Sequence, residues 1–226
     1  MLDNILLETN EYRLKSHLIN DVSPAVLYIS SDHFGESGKC IADELTKKVE
    51  NRFSFYELVV KDWDCYLTPW EAESNIKGRH FEGQAGKLLE SIMTNILPKI
   101  KEYTDYTKLY IAGYSLAGLF SLWSIYESDI FDGAVCCSGS LWYQGWAEYV
   151  QSSFVNKLSD IYLSLGKAEK NTKHPLMKYI EDNMKLQYEL LSEDEQVDKI
   201  ILEWNEGGHF SNTNERIIKG IEWILQ

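Results

Sequence analysis

The chain of 226 residues has four cysteines, and none of them forms a Cys-x-x-Cys pair with ligand spacing, so a structural zinc site is not expected. Cys136 and Cys137 are neighbours in an apolar, strand-like run, which predicts buried thiols on opposite faces of a sheet. Positive charge is also scarce. Twenty-two Lys and Arg against 35 Asp and Glu leave a net charge of -13. Nucleic-acid affinity depends on cations that neutralise phosphates, so this balance excludes nucleic acid as a partner and, by the same reasoning, an anionic membrane surface. No apolar run approaches the roughly 20 residues that span a bilayer. The apolar cluster Ile5 to Leu7 lacks the basic leader and long apolar core of a signal peptide, and a soluble, cytoplasmic protein is expected. Internal repeats, low-complexity tracts and long linkers are missing too, which predicts one domain over residues 1–226.

What is present is an ordinary globular balance, 44% apolar and 25% charged, with a surplus of aromatics at 13%. Much of that surplus falls at Trp63 to Trp70 and Trp142 to Tyr149, segments read as loops whose rings line or cover an opening. Strand-like and helix-like segments alternate, the pattern of an α/β domain with a largely parallel sheet. Strands are predicted at Arg13 to Ile19, Ala25 to Ser30, Phe53 to Val60, Lys108 to Ala112, Ala134 to Cys137, Ile161 to Leu165 and Lys199 to Trp204. Helices are predicted at Gly38 to Asn51, Gly83 to Tyr103, Leu116 to Tyr126, Lys178 to Leu191 and Asn214 to Leu225.

The segment Tyr110-Ile111-Ala112-Gly113-Tyr114-Ser115-Leu116-Ala117-Gly118 carries the chemistry. A serine on a sharp strand-to-helix turn needs very small residues two positions away on either side, and Gly113 and Ala117 supply them. Such a five-residue match arises by chance in about one chain in six of this length. The context decides: a buried strand precedes it and an apolar helix follows, so Ser115 is read as a nucleophile with a helix N-terminus behind it.

On such a turn the chain order is serine, acid, histidine, with the partners in loops at the C-terminal ends of later strands. His17, His33 and His80 precede Ser115, which leaves His174 and His209. His209 follows the last strand through Gly207 and Gly208 and is the predicted base; His174 has no strand directly before it. For the acid, Glu169 in the loop after Leu165 is the first candidate and Glu206 the second; Asp182 and Asp194 read as solvated.

At this point the sequence resembles the esterase D-like branch of the α/β-hydrolases, which includes siderophore esterases of the enterobactin type, feruloyl esterases and S-formylglutathione hydrolase. The resemblance runs from about Pro24 to the last helix and rests on Ala25-Val26-Leu27-Tyr28-Ile29, Asp64 to Pro69, Gly113 to Gly118, Ser138-Gly139-Ser140-Leu141-Trp142, Tyr162 to Gly166 with Glu169, and Gly208-His209. Two positions depart from the family: Ala117 where Gly is frequent, and Ser31-Asp32 where Asp-Gly is common. The resemblance implies an α/β-hydrolase three-layer sandwich and hydrolysis of a small-molecule carboxylic ester, or a thioester, with no metal or organic cofactor. It also implies an oxyanion hole from the Leu116 N–H and an N–H near Ser31 or Asp32, the Asp32 carboxylate pointing away. Tyr114, Trp142, Tyr143 and Trp146 are the expected aromatic walls of the substrate pocket. An acyltransferase with the same residues, a non-catalytic binding module of the same fold and, more remotely, a peptidase are the other readings.

Overall fold

A computed structural model describes residues 4–32, 37–50, 52–74 and 78–226. Its centre is an eight-stranded sheet built, in chain order, from β1 (Ile5–Glu8), β2 (Tyr12–Leu18), β3 (Val22–Ser30), β4 (Ser54–Val60), β7 (Asp105–Tyr114), β8 (Gly133–Cys137), β9 (Ser159–Gly166) and β10 (Val197–Asn205). A separate two-stranded hairpin pairs β5 (Glu71–Glu73) with β6 (His80–Glu82). The spatial order of the large sheet is β1-β2-β4-β3-β7-β8-β9-β10. The β1-β2 and β2-β4 pairings are antiparallel and the rest parallel, so all strands from β3 onward end on one edge.

Helices cover both faces, as parallel strands with long crossovers require. On one face α1 (Ser37–Lys48) and α8 (Thr213–Ile224) pack through Ile41, Leu45, Ile217 and Ile221 onto Val26, Tyr28, Ala112, Val135 and Cys137. On the other, α3 (Ala85–Ser91), α4 (Leu97–Lys101), α5 (Leu116–Glu127) and α7 (Ile180–Ser192) cover Ala25, Leu27, Ile29, Ile111, Ala134 and Cys136. Consecutive strand residues thus feed opposite cores, and Cys136 and Cys137 divide between them as expected. This is the α/β domain with a largely parallel sheet expected from the alternating pattern, and the α/β-hydrolase architecture that the resemblance implies. Helix α5, directly behind Ser115, is buried from Leu116 to Tyr126, consistent with its lack of a polar face.

Most predicted elements lie within a few residues of those observed. The single helix expected over 83–103 is interrupted by a π-turn at Ile92–Ile96, where the Leu97 N–H donates to the Ile92 carbonyl. The wider turn accommodates Pro98, which has no N–H to give and whose ring crowds the preceding turn. The expected end of α1 at Asn51, like His33, lies outside the described residues. The two aromatic segments are not wholly loops, contrary to expectation. Trp63–Tyr66 forms α2, capped by the Asp62 side chain, which accepts from the Cys65 N–H at 3.1 Å, and Trp146–Val150 forms α6. Elements of one turn are too short to show a period in sequence. No helix among the described residues is long and apolar enough to cross a membrane.

Candidate active site

Strand β7 delivers Ser115 to the sheet edge in a conformation that few non-glycine residues adopt, φ 60° and ψ -122°. Such a backbone costs about 1–3 kcal/mol and persists only where its surroundings hold it. Here the Ser115 N–H donates to the Cys137 carbonyl at 3.1 Å, and the Ser115 carbonyl accepts from the Ser140 N–H at 3.0 Å. The loop after β8 therefore clamps both sides of the turn. That loop also sets the Ser140 hydroxyl 3.4 Å from Ser115 Oγ.

The loop after β9 turns Glu169 back towards the strand end, where its side chain is only 4% exposed. Oε1 accepts from the Ser138 hydroxyl at 2.6 Å, the Gly166 N–H at 2.8 Å and the Arg216 guanidinium at 3.1 Å. Oε2 faces His209 Nδ1 at 2.8 Å. Burial alone would push this carboxyl up, but the hydrogen bonds from His209 and Ser138 and the charge of His209 outweigh it and hold it below the usual carboxylate range.

The loop after β10 brings the third group. Gly207 takes φ +87°, and a Cβ there would also strike the Ser211 side chain at 2.4 Å, so glycine is needed for the turn. His209 then reaches across with Nε2 at 3.0 Å from Ser115 Oγ. Its own carbonyl accepts from the Tyr114 hydroxyl at 2.6 Å. Serine, imidazole and carboxylate form one continuous hydrogen-bonded line, so an Nδ1–H tautomer leaves Nε2 with its lone pair towards the hydroxyl.

This line opens into a cavity of about 520 Å³ whose wall includes Trp63, Arg79, Trp142, Met177, Ile180 and Phe210. Arg79 is paired with Asp64 and lies over the Phe81 ring at 5.6 Å. Leu116 lines the cavity at the first position of α5, where helix amides have no intrahelical partner.

The remaining sequence candidates sort differently from the expectation. Glu206 is 85% exposed and paired with Lys167, so it is not the carboxylate at His209. His174 is not the imidazole at Ser115: its Nδ1 accepts from the Leu176 and Met177 N–H groups and its ring packs against Trp142 at 5.8 Å. Of the four aromatics, only Trp142 lines the cavity. Trp146 is buried, with Nε1 donating to Gln187 at 3.0 Å, because α6 turns it into the core. Tyr143 is likewise buried, its hydroxyl held by the Trp70 carbonyl. Tyr114 is directed to the backbone of the His209 loop and does not line the cavity. Ser31 is buried and Asp32 carries its carboxylate outward to Arg13 at 3.2 Å, the direction expected of it; neither lines the cavity.

Trp63, from the aromatic segment expected to line an opening, does line the cavity, whereas sequence reasoning missed Ser140, Arg79, Phe210 and Arg216. The one available signal was Arg216, a charge beside Ile217 and one turn before Gly220 in an otherwise apolar helix face. The others come from separate loops and carry no common spacing.

Fold and site together define an α/β-hydrolase architecture with a serine, a histidine and a carboxylate in line at the strand ends. No family model and no curated protein matches the sequence. Solved structures match its fold. The chain is similar to the siderophore hydrolase EstB from Aspergillus nidulans, at 15% identity over 95% of this chain and 90% of that one, with a TM-score of 0.75. An IroE-like serine hydrolase from Shewanella oneidensis gives a TM-score of 0.79 at 14% identity, covering 95% of this chain and 75% of that one. The BES protein from Bacillus cereus gives 0.70 at 17% identity, covering 97% and 92%. At such identities the likeness establishes the shared fold, and at that level the resemblance to siderophore-type esterases is met.

Proposed function

We propose that the chain is a serine esterase that cleaves a small-molecule carboxylic ester through an acyl-enzyme. The observation that carries this reading is the pair of contacts at His209, 3.0 Å to Ser115 Oγ and 2.8 Å to Glu169 Oε2, opening into a cavity. The siderophore hydrolase and serine hydrolase named among the structural neighbours support the same reaction class.

In the proposed mechanism Ser115 Oγ attacks the ester carbonyl while His209 Nε2 takes its proton. Glu169 fixes the tautomer and stabilises the imidazolium. The tetrahedral oxyanion is met by the Leu116 N–H at the start of α5. His209 returns its proton to the departing alkoxide, and water, deprotonated by the same imidazole, releases the acid.

The test is labelling with a fluorophosphonate together with turnover on a panel of esters and thioesters. The reading requires one adduct, on Ser115, and turnover that disappears with it. An inert Ser115 would leave a binding module of the same fold. Transfer of the acyl group to added alcohols in preference to water would make the chain an acyltransferase.

A further inference from the structure

Arg216 projects from the first turn of α8 into the interior, where the residue is 1% exposed. A buried guanidinium is costly unless acceptors meet its N–H groups, and these acceptors are distributed in an informative way. One terminal nitrogen reaches the Tyr114 hydroxyl at 3.1 Å, the Ser138 hydroxyl at 2.9 Å and Glu169 Oε1 at 3.1 Å. The other reaches the Glu206 and Gly208 carbonyls, each at 3.1 Å. Tyr114 precedes the nucleophile, Ser138 opens the loop that clamps it, Glu169 is the acid, and Glu206 to Gly208 is the turn that carries the base. Two relays reinforce these contacts: the Ser138 hydroxyl donates a hydrogen bond to Glu169 Oε1, and the Tyr114 hydroxyl donates one to the His209 carbonyl.

We propose that Arg216 is a positioning residue that registers the loops of Ser115, Glu169 and His209 against one another and shares the charge of Glu169, thereby setting the acid limb of the pH–rate profile. The proposal rests on the esterase reading above. By occupying Oε1, the guanidinium leaves Oε2 to His209 and fixes the carboxylate's rotation. It also divides the carboxylate's charge between two cations once His209 is protonated. Without Arg216, Glu169 would stabilise the imidazolium alone and more strongly, so the base would become free only at higher pH.

On the outer side Glu203 and Lys219, paired with each other at 3.0 Å, and Glu215 share a surface cavity with Arg216. The Tyr114 phenol from β7 and the Cys137 thiol from β8 face Arg216 and Glu169, and burial pushes each up to about 12, so both stay neutral through the working range. The Lys167 and Glu206 side chains in the adjoining loops form an exposed pair with each other.

The experiment is the pH dependence of kcat and kcat/KM for p-nitrophenyl acetate with the full-length chain, comparing wild type, Arg216→Gln and Arg216→Lys. For Arg216→Gln the acid limb is expected to move about half to one pH unit upward and kcat at the plateau to fall about 10- to 100-fold, with KM little changed. Arg216→Lys keeps the charge but not the fork, so its limb stays in place while kcat falls. Guanidinium added to Arg216→Ala should restore part of kcat, which keeps the test open if Arg216→Gln does not fold. A limb that stays put in Arg216→Gln, or wild-type kcat in both variants, overturns the proposal, as does Arg216→Ala that guanidinium leaves unchanged. Wild-type turnover that survives Ser115→Ala would instead defeat the esterase reading.

Discussion

Gly113 and Ala117 approach so closely that a methyl group on Gly113 would lie 2.2 Å from the Ala117 carbonyl oxygen. The strand ending at Ser115 and the helix starting behind it are thus pressed together at the one place where the chain reverses. Gly113→Ala forces them apart and is expected to lower turnover by at least about 100-fold, because displacing the nucleophile by an ångström is enough. Ala117→Gly adds space without a clash and should keep activity within a few-fold of wild type. Rates of fluorophosphonate labelling for the two variants check this.

Ser115→Ala and His209→Ala should each reduce ester hydrolysis by about 10⁴-fold or more, since groups acting as a unit fail together. Neither change removes a core contact, and the urea midpoints should stay near that of wild type. Substantial turnover in Ser115→Ala would sink the mechanism.

The two glutamates that competed in sequence are expected to separate sharply. Glu169→Gln lowers kcat by about 10²- to 10⁴-fold by disturbing the imidazole tautomer. Glu206→Gln removes only an exposed ion pair with Lys167 and should stay within about two-fold of wild type. Parallel kinetics on one ester decide it.

Trp142 and Trp146 stand four positions apart but face different surroundings. Trp142→Ala opens the cavity wall and should change KM and the ranking of acyl groups in an ester panel. Trp146→Ala empties a core site and should cost about 3–5 kcal/mol of stability, read from urea unfolding.

Glu57 gives a pH signature far from the reaction. It is 2% exposed, with Oε2 at 2.7 Å from His17 Nε2 and Oε1 accepting from the Ser30 hydroxyl at 2.6 Å. Burial would push its carboxyl up, but the hydrogen bonds from His17 and Ser30 hold it below the usual range. A folded value below the unfolded one means stabilisation present in full above the unfolded value of about 4.3 and lost as pH falls through the folded value. Glu57→Gln should therefore be less stable than wild type by about 2 kcal/mol at pH 7, and the gap should narrow below about pH 4. Urea titrations at both pH values measure it.

The sequence by itself determined the class of fold and the outline of the site. Period-two and period-3.6 patterns are local, and the small residues around Ser115 are demanded by a local turn, so both can be read along the chain. Chain order left His174 and His209 as bases, and position at the strand ends then selected His209 and narrowed the acid to Glu169 or Glu206. Only the tertiary structure decided between those two, turned Trp146 into the core and left Trp142 in the cavity wall, and brought Arg216 to the same carboxylate. These outcomes depend on which way a side chain points after distant loops converge at one sheet edge. Residue spacing carries no record of that convergence, because the contacts join segments some 40 to 100 residues apart.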